Sequence, residues 1–310
     1  MSRPVFVSAR PEMPPAGPFS TMTKPKILIQ FDSDRQASVF DAVTAIDAGV
    51  DQILQYAGVE PAQIRDLVPG AIFTRGPKDL HNTALFIGGS DVRAGESVLT
   101  QATSCFVGPM RVSVMLDANG CNTTAAAAVL SAARHVDLAQ ADALVLAATG
   151  PVGQRAARML ASEGASVRIA SRSLDRAKAV CQAISDQHPE AKVSPYQTLS
   201  PQELSQAIEG AQVIISAGAL GVELLTEENW QSSFSLRVII DLNAMPPLGV
   251  AGLDMQDSGV ERHGAIAYGA IGVGGLKMKI HKAAIRQLFQ ANDQVLDAEE
   301  ILQLGRTLIG

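Results

Sequence analysis

The chain has 310 residues, 47% hydrophobic and 18% charged, proportions of a folded globular protein with room for about two domains and a sizeable core. Its formal net charge of −6 argues against a general binder of phosphate backbones, so no nucleic acid is expected as a partner. Three cysteines, Cys105, Cys121 and Cys181, are odd in number and lack paired spacing, which suggests neither a disulfide framework nor a metal site and fits thiols in a reducing compartment.

Residues 1–25, rich in proline and small side chains and without a continuous apolar stretch, read as a disordered leader and a poor secretory signal. Met22 stands just before the first clear strand, which leaves Met1 and Met22 both open as starts. No run approaches the roughly 18 apolar residues of a membrane span, so no membrane association is expected and the cytoplasm is the expected location.

"KILIQF" (26–31) is a short apolar run of the kind that forms a buried strand. After "DSD", residues 37–48 carry Val39, Phe40, Val43 and Ile46 at helical spacing. "QILQY" (52–56) reads as a second strand and "PAQIRDLV" as a helix opened by Pro61. "AIFT" and "TALFIGG" continue the strand–helix alternation, residues 96–105 read as helix and "RVSVML" (111–116) as strand. The loop "DANGCNTT" (117–124) then launches an alanine-rich helix.

A second series begins at "DALVLAATG" (142–150) and continues through "ASVRIAS", "AQVIISAG", "LRVIIDLN" and "AIAYGAIG". The alternation predicts an α/β fold of two domains with mostly parallel sheets, breaking near residues 125–141. One unit is expected over 26–125 and a Rossmann-like doubly wound unit over 126–279. The segment from Gly274 reads as two helices with no strand between them, and residues 280–310 are assigned back to the first unit.

"ALVLAATGPVGQRAARMLASEGASVRIASRS" is the most informative stretch. A strand meets Ala148, Thr149, Gly150, Pro151, Val152 and Gly153, and then an amphipathic helix. This is the dinucleotide fingerprint with alanine in the first glycine place: Gly150 admits a pyrophosphate, Gly153 lets helix pack on strand, and the helix start supplies N–H donors. The end of the second strand selects the nucleotide. An NAD site places Asp or Glu there, whereas this chain has Ser171, Arg172 and Ser173, a planar cation between hydroxyls suited to a 2′-phosphate, so NADP is expected. The later loops "SAGALG", with Ser216, Ala217 and Gly218, and "DLNAMPPLGVAG", with Asn243, follow strands of the same sheet and are candidates to wall the nicotinamide side.

Lys277 follows the glycine-rich "GVGG", and with residues 278–289 helical it lies one turn from His281. Spacing alone reads it equally as a solvated helix-start lysine or as a residue held over a cleft at the domain junction. Asp32, Asp34, Asp117, Asn119 and Asn122 sit in loops after strands of the first unit, either as helix caps or as hydrogen-bonding groups for a ligand.

The set "QFDSDRQASVFD", "IFTRGPKD", "FIGGSD", "MLDANGCNTTAAA", "ATGPVG", "SAGALGVELL", "NAMPPLGVAGLD" and "GAIGVGGLKMKIHKAAIRQLF" resembles the bacterial methylene-tetrahydromethanopterin dehydrogenases, most closely the NADP-dependent branch used in one-carbon oxidation. The resemblance covers about residues 26–305. It implies a pterin-binding domain and an NADP-binding domain with a cleft between them, assembled as a homo-oligomer, a trimer. The implied reaction oxidises the N5,N10-methylene pterin to a methenyl cation. Lys277 matches a lysine thought to act in catalysis, and His281 and Phe40 match residues placed around the pterin. A cation beside a developing cation is unfavourable unless the lysine is neutral or offset. The related tetrahydrofolate dehydrogenase/cyclohydrolases carry a Tyr-x-x-x-Lys pair. The first-domain tyrosine here, Tyr56, has no such lysine, so cyclohydrolase activity is not expected. Methylene-tetrahydrofolate as donor, and a non-catalytic NADP-binding sensor, are the alternative readings.

Overall fold

The computed structural model describes residues 24–309; the expected leader falls almost wholly outside them. The first half is built from β1 (Ile27–Asp32), α1 (Val39–Asp47), β2 (Gln52–Tyr56), α2 (Ile64–Ile72), β3 (Thr83–Gly88), α3 (Val92–Ser104), β4 (Ser113–Leu116) and α4 (Cys121–Ala133). It continues with β5 (Asp142–Leu146), α5 (Pro151–Ser162), β6 (Ser166–Ser171), α6 (Leu174–Gln187), β7 (Lys192–Gln197), α7 (Pro201–Ile208), β8 (Val213–Ser216), β9 (Val238–Asp241), β10 (Ser258–Arg262) and β11 (Ala265–Tyr268). The chain closes with α8 (Ala270–Gln287), β12 (Val295–Leu296) and α9 (Ala298–Thr307).

Two sheets result. The first, in the order β12-β4-β3-β1-β2, is parallel throughout. The second runs β10-β11-β9-β8-β5-β6-β7, parallel except for the β10–β11 hairpin at its edge. Read from β7, that order is the doubly wound arrangement, and the winding direction reverses between β5 and β8.

Helix α4 joins the sheets. Its residues from Cys121 to Ala132 are buried apart from Thr124, as expected of a helix apolar on every side. One continuous core runs from Leu28, Phe86 and Met115 on the first sheet, through Ala125–Leu130, to Val145, Val167 and Ile240 on the second. Helices α8 and α9 close around it: a side chain at Gly305 of α9 would sit 2.6 Å from Leu130 Cδ1 and 3.0 Å from Ile280 Cδ1. Arg155 of α5, 6% exposed, bonds the Asn122 side chain and donates to Glu96 Oε1 at 2.8 Å, tying α5 to α3 and α4.

The structure differs from the sequence expectation in four places. Ala71 and Ile72 of "AIFT" end α2 rather than forming a strand; both are buried, and periodicity over four residues does not separate a buried helix end from a strand. The C-terminal segment contains β12, which pairs with β4 and completes the first sheet. The "GVGG" glycines are helical, so α8 begins at Ala270 and the expected boundary at 279/280 falls inside it. The apolar stripe of α1 is not covered: Val39, Val43 and Ile46 are 74%, 56% and 52% exposed.

Two glycines of α8 make opposite demands. A Cβ at Gly272 would fall inside the backbone of Asp257, whereas Gly275 has open space around that position. Gly272→Ala is therefore expected to destabilise the fold by about 3 kcal/mol, the scale of backbone-shifting overpacking. Gly275→Ala should stabilise it by about 1 kcal/mol through helix propensity. Thermal midpoints of the two variants, moving in opposite directions, check this.

Candidate active site

Parallel sheets collect ligands beyond the carboxyl ends of their strands, and both sheets carry a cavity there. On the second sheet a cavity of about 600 Å³ opens at the β5/β8 reversal, bounded by Ala147 and Thr149, by Ser171, Arg172, Ser173 and Arg176, and by Gly218, Ala219, Val222, Glu223 and Leu224. The fingerprint turn leads into it. Gly150 and Pro151 start α5, and a side chain at Gly153 would meet Ala147 O and Ala148 Cα at 2.8 Å, so glycine there is required for the helix to pack on the strand. The left-handed residue of the turn is Ala147, at φ 52°, one place before the alanine that reads as the first glycine of the motif. An alanine held there costs about 1–2 kcal/mol.

These residues fit a dinucleotide phosphate. The N-terminus of α5 faces the turn with no side-chain cap, and no carboxylate ends β6. Ser171 accepts from Ser173 N at 3.2 Å and Ser173 caps α6 by accepting from Arg176 N at 3.4 Å. These hydroxyls shape the strand end, while the two arginines supply its charge. Arg176, one turn into α6, was not singled out from the sequence; the Arg172/Arg176 spacing across the Ser173 cap was the available signal. Ser216 and Asn243 do not line the cavity. Ser216 is buried beside Gly249, where a Cβ would lie 2.5 Å from its Oγ, and Asn243 accepts from Met245 N and donates to Pro247 O, pinning its own loop.

The second cavity, about 280 Å³, lies at the carboxyl edge of the first sheet and is lined by Asp34, Ser38, Phe40, Asp41, Gly89, Ser90, Asn119, Gly120 and Lys277. Lys277 comes from the other half of the chain: α8 leaves the end of β11 and carries the residue about 10 Å along its axis. Its Nζ rests 5.3 Å from the Phe40 ring centroid. Gly120, left-handed at φ 57°, gives it room, since a Cβ there would stand 3.1 Å from Nζ. Asn119, also left-handed at φ 54°, joins the lining, a conformation its side chain tolerates.

His281, one turn on, is fully buried and stacks on Phe86, ring centroids 5.6 Å apart and planes 26° apart, with Phe40 edge-on at 6.2 Å. Burial, reinforced by Lys277 and opposed by Asp117, pushes its pKa down to about 4, so the ring is neutral at ordinary pH. Its Nδ1 lies 3.3 Å from Asp117 Oδ2 but without hydrogen-bond alignment, leaving both ring nitrogens unbonded.

The other sequence candidates separate by exposure. Asp34 faces the cavity and accepts from Ser90 N and Oγ at 3.1 and 2.7 Å. Asp32 and Asp117 are buried anchors. Asp32 accepts from Asp34 N and Ser38 N, each at 2.9 Å, and Asp117 accepts from Asn122 N and Thr123 N at 3.0 Å and Thr123 Oγ1 at 2.7 Å. Asn122 is fully buried and donates to Leu116 O at 2.7 Å and Asp297 Oδ1 at 2.8 Å, so it braces α4 and does not reach the cavity. Asp41 lines the cavity and was missed: an acid in the first turn of a helix reads as a dipole partner, which hides any other role.

Residues 39–119 match the family described as methylene-tetrahydromethanopterin dehydrogenase, N-terminal, and residues 130–248 that described as shikimate / quinate 5-dehydrogenase. The chain is 44% identical over 285 residues to the "Bifunctional protein MdtA" of Methylorubrum extorquens, covering 91% of this chain and 99% of that protein. It is 30% identical to the "NAD(P)-dependent methylenetetrahydromethanopterin dehydrogenase" of the same organism, covering 89% and 96%. Among solved structures, quinate dehydrogenase from Corynebacterium glutamicum in complex with NAD aligns over 92% of this chain and 99% of its own, at 14% identity and a TM-score of 0.48. By identity and coverage, the chain belongs to the bacterial methylene-tetrahydromethanopterin dehydrogenase family.

Proposed function

We propose that this protein oxidises N5,N10-methylene-tetrahydromethanopterin to its methenyl form with NADP as hydride acceptor. The observation that carries the reading is the delivery of Lys277, on a helix growing from the nucleotide-side sheet, into a polar cavity at the edge of the first sheet. In this reading residues 26–125 with 280–310 bind the pterin and residues 126–279 bind NADP, with α8 spanning the two.

When bound, the nicotinamide accepts a hydride at C4. The protein has little proton chemistry to perform, because no proton leaves the substrate. Its residues align donor and acceptor and exclude water. Phe40 offers a flat apolar surface for the pterin, with Lys277 across its face. The neutral His281 keeps that surface rigid by packing beneath it against Phe86. Asp34 and Asn119 present acceptors and a donor at the cavity rim. Arg172 and Arg176 hold the 2′-phosphate, which a carboxylate at the end of β6 would repel.

The three free cysteines support a reducing compartment, the cytoplasm. Among the described residues no helix is long and apolar enough to cross a membrane. The exposed α1 stripe beside the edge strand β2, where Leu54 and Tyr56 are also exposed, supports a homo-oligomer in which another copy covers this face.

The decisive experiment is reduction of NADP and NAD by the purified protein with methylene-tetrahydromethanopterin and methylene-tetrahydrofolate as parallel donors. Fast NADP reduction with the methanopterin donor is expected. Activity with the folate donor alone would move the enzyme to folate chemistry, and NADP binding without any reduction would make it a sensor. Lys277→Met is expected to lower kcat about 100-fold, the cost of misplacing a reactant by about an ångström; unchanged turnover of a folded variant would remove Lys277 from the site. Arg172→Ala and Arg176→Ala should each raise KM for NADP by about 10- to 100-fold, the worth of one charge-assisted hydrogen bond, without changing KM for NAD. Val43→Glu with Ile46→Glu should reduce the solution mass measured by light scattering, and an unaltered mass would place the oligomer contact elsewhere.

A further inference from the structure

We propose that the Asp41 carboxylate is the counter-charge for the cation that forms on the substrate as hydride leaves, a role that rests on the activity proposed above. When the C–H bond of the methylene carbon breaks, both electrons go to the nicotinamide. The lone pairs of the two flanking nitrogens spread into the carbon, and one positive charge appears on the pterin. No proton is released. The charge lost by the nicotinamide ring is gained by the pterin, so a site prepared for the transition state places a fixed negative group near the pterin side.

Four carboxylates gather at this sheet edge, and three of them already accept at least two hydrogen bonds each. Asp32 and Asp117 take two backbone N–H bonds each, and Asp34 takes the Ser90 N–H and hydroxyl. Asp41 also lines the cavity, yet among the described residues no backbone N–H bonds its carboxylate, and the Ser38 hydroxyl beside it accepts from Asp41 N at 3.2 Å. Its Oδ2 lies against Gly88, where a Cβ would come within 3.3 Å of it. Lys277 stands on the same cavity from α8, but the two side chains make no ion pair: Nζ is drawn over the Phe40 ring instead. The charge balance at this edge is therefore negative, with one lysine against four acids and a neutral histidine. That excess removes the difficulty of a lysine beside a developing cation.

The groups facing Asp41 account for its titration. Burial, with Asp117 at the end of β4 and Asp32 at the end of β1, pushes its pKa up to about 6, against the lowering effects of the Ser38 hydroxyl and Lys277. Folding thus favours the protonated acid. The ionised form lowers stability as pH rises from the unfolded value of 3.8 through about 6, and the full penalty stands above that. A bound cation relieves it.

The test is Asp41→Asn in the full-length protein, with Asp41→Glu as the charge-retaining control. The first readout is direct binding of the methenyl cation and of the neutral methylene pterin to NADP-free protein. At about pH 8 the Asn variant should lose about tenfold or more in affinity for the cation and almost none for the neutral form. Its kcat should fall about 100-fold, and the rise in cation affinity of the unmodified protein through about pH 6 should be absent. Asp41→Glu should restore part of each. The Asn variant should also melt above the unmodified protein at about pH 8 and alongside it below about pH 4. Equal loss of affinity for both pterins would make Asp41 an ordinary binding contact and overturn the proposal, as would unchanged binding and turnover. An unmodified protein that binds neither pterin and reduces no NADP would overturn the proposed activity and this role with it.

Discussion

The structure depends on one buried helix that has almost no side chain to get in the way. From Ala125 to Ala128 α4 presents only methyl groups, and Ala132 repeats the pattern a turn further on, all fully buried. Small side chains on every face let α5, α8 and α9 approach its backbone closely, and Gly305 on α9 shows how little space remains. The consequence is a single core shared by both sheets. A helix emerging from the second sheet can therefore deliver a side chain to the edge of the first with its direction fixed. Arg155 adds a polar tie through the same junction, where its guanidinium satisfies the buried Asn122 carbonyl that would otherwise be stranded.

That fixed delivery sets the chemistry. Strands of both sheets end at cavities, and each cavity takes its charge from residues after strand ends. At the nucleotide edge the charge is positive, from Arg172 and Arg176, supported by the amino end of α5. At the edge of the first sheet it is negative, with Asp34 and Asp41 lining the cavity beside Lys277 and with Asp32 and Asp117 buried at the strand ends. Under the proposed reaction, an anionic phosphate and a substrate that becomes cationic require these opposite arrangements. The neutral His281 fits the same proposal, in which a second cation under Phe40 would oppose the charge forming on the substrate.

Much of this was legible in the sequence, for physical reasons. A doubly wound sheet repeats apolar runs and turn residues, and the strand–turn–helix context around Gly150 and Gly153 restricts what the loop can be. Lys277, Phe40, Asp34 and Asn119 do meet at one cavity. What escaped reading is equally physical. The two-residue β12 is too short to show a period. The helix carrying Lys277 already includes Gly272, where glycine is required because the Asp257 backbone passes where a Cβ would be, a packing reason that spacing does not show. Val39, Val43 and Ile46 have the spacing of a packed stripe, but spacing does not reveal whether the covering surface lies in the same chain. Asn122 has the residue type and loop position of a ligand contact, and only its burial shows that it braces α4.

The departures from ordinary local preference are not scattered. Ala147 holds a left-handed conformation that costs an alanine energy, and it borders the nucleotide cavity. Asp41 keeps a half-buried carboxylate without a backbone N–H partner, Phe40 leaves half its surface in solvent, and His281, packed against Phe40, hides two unbonded ring nitrogens; Asp41 and Phe40 line the Lys277 cavity. A left-handed alanine, a half-buried carboxylate and unbonded buried ring nitrogens each carry a cost. Strain and unmet polar groups persist where the surrounding fold over-determines them, and here the continuous core around α4 supplies that determination. Under the proposed reaction, a bound substrate meets groups that already lack partners.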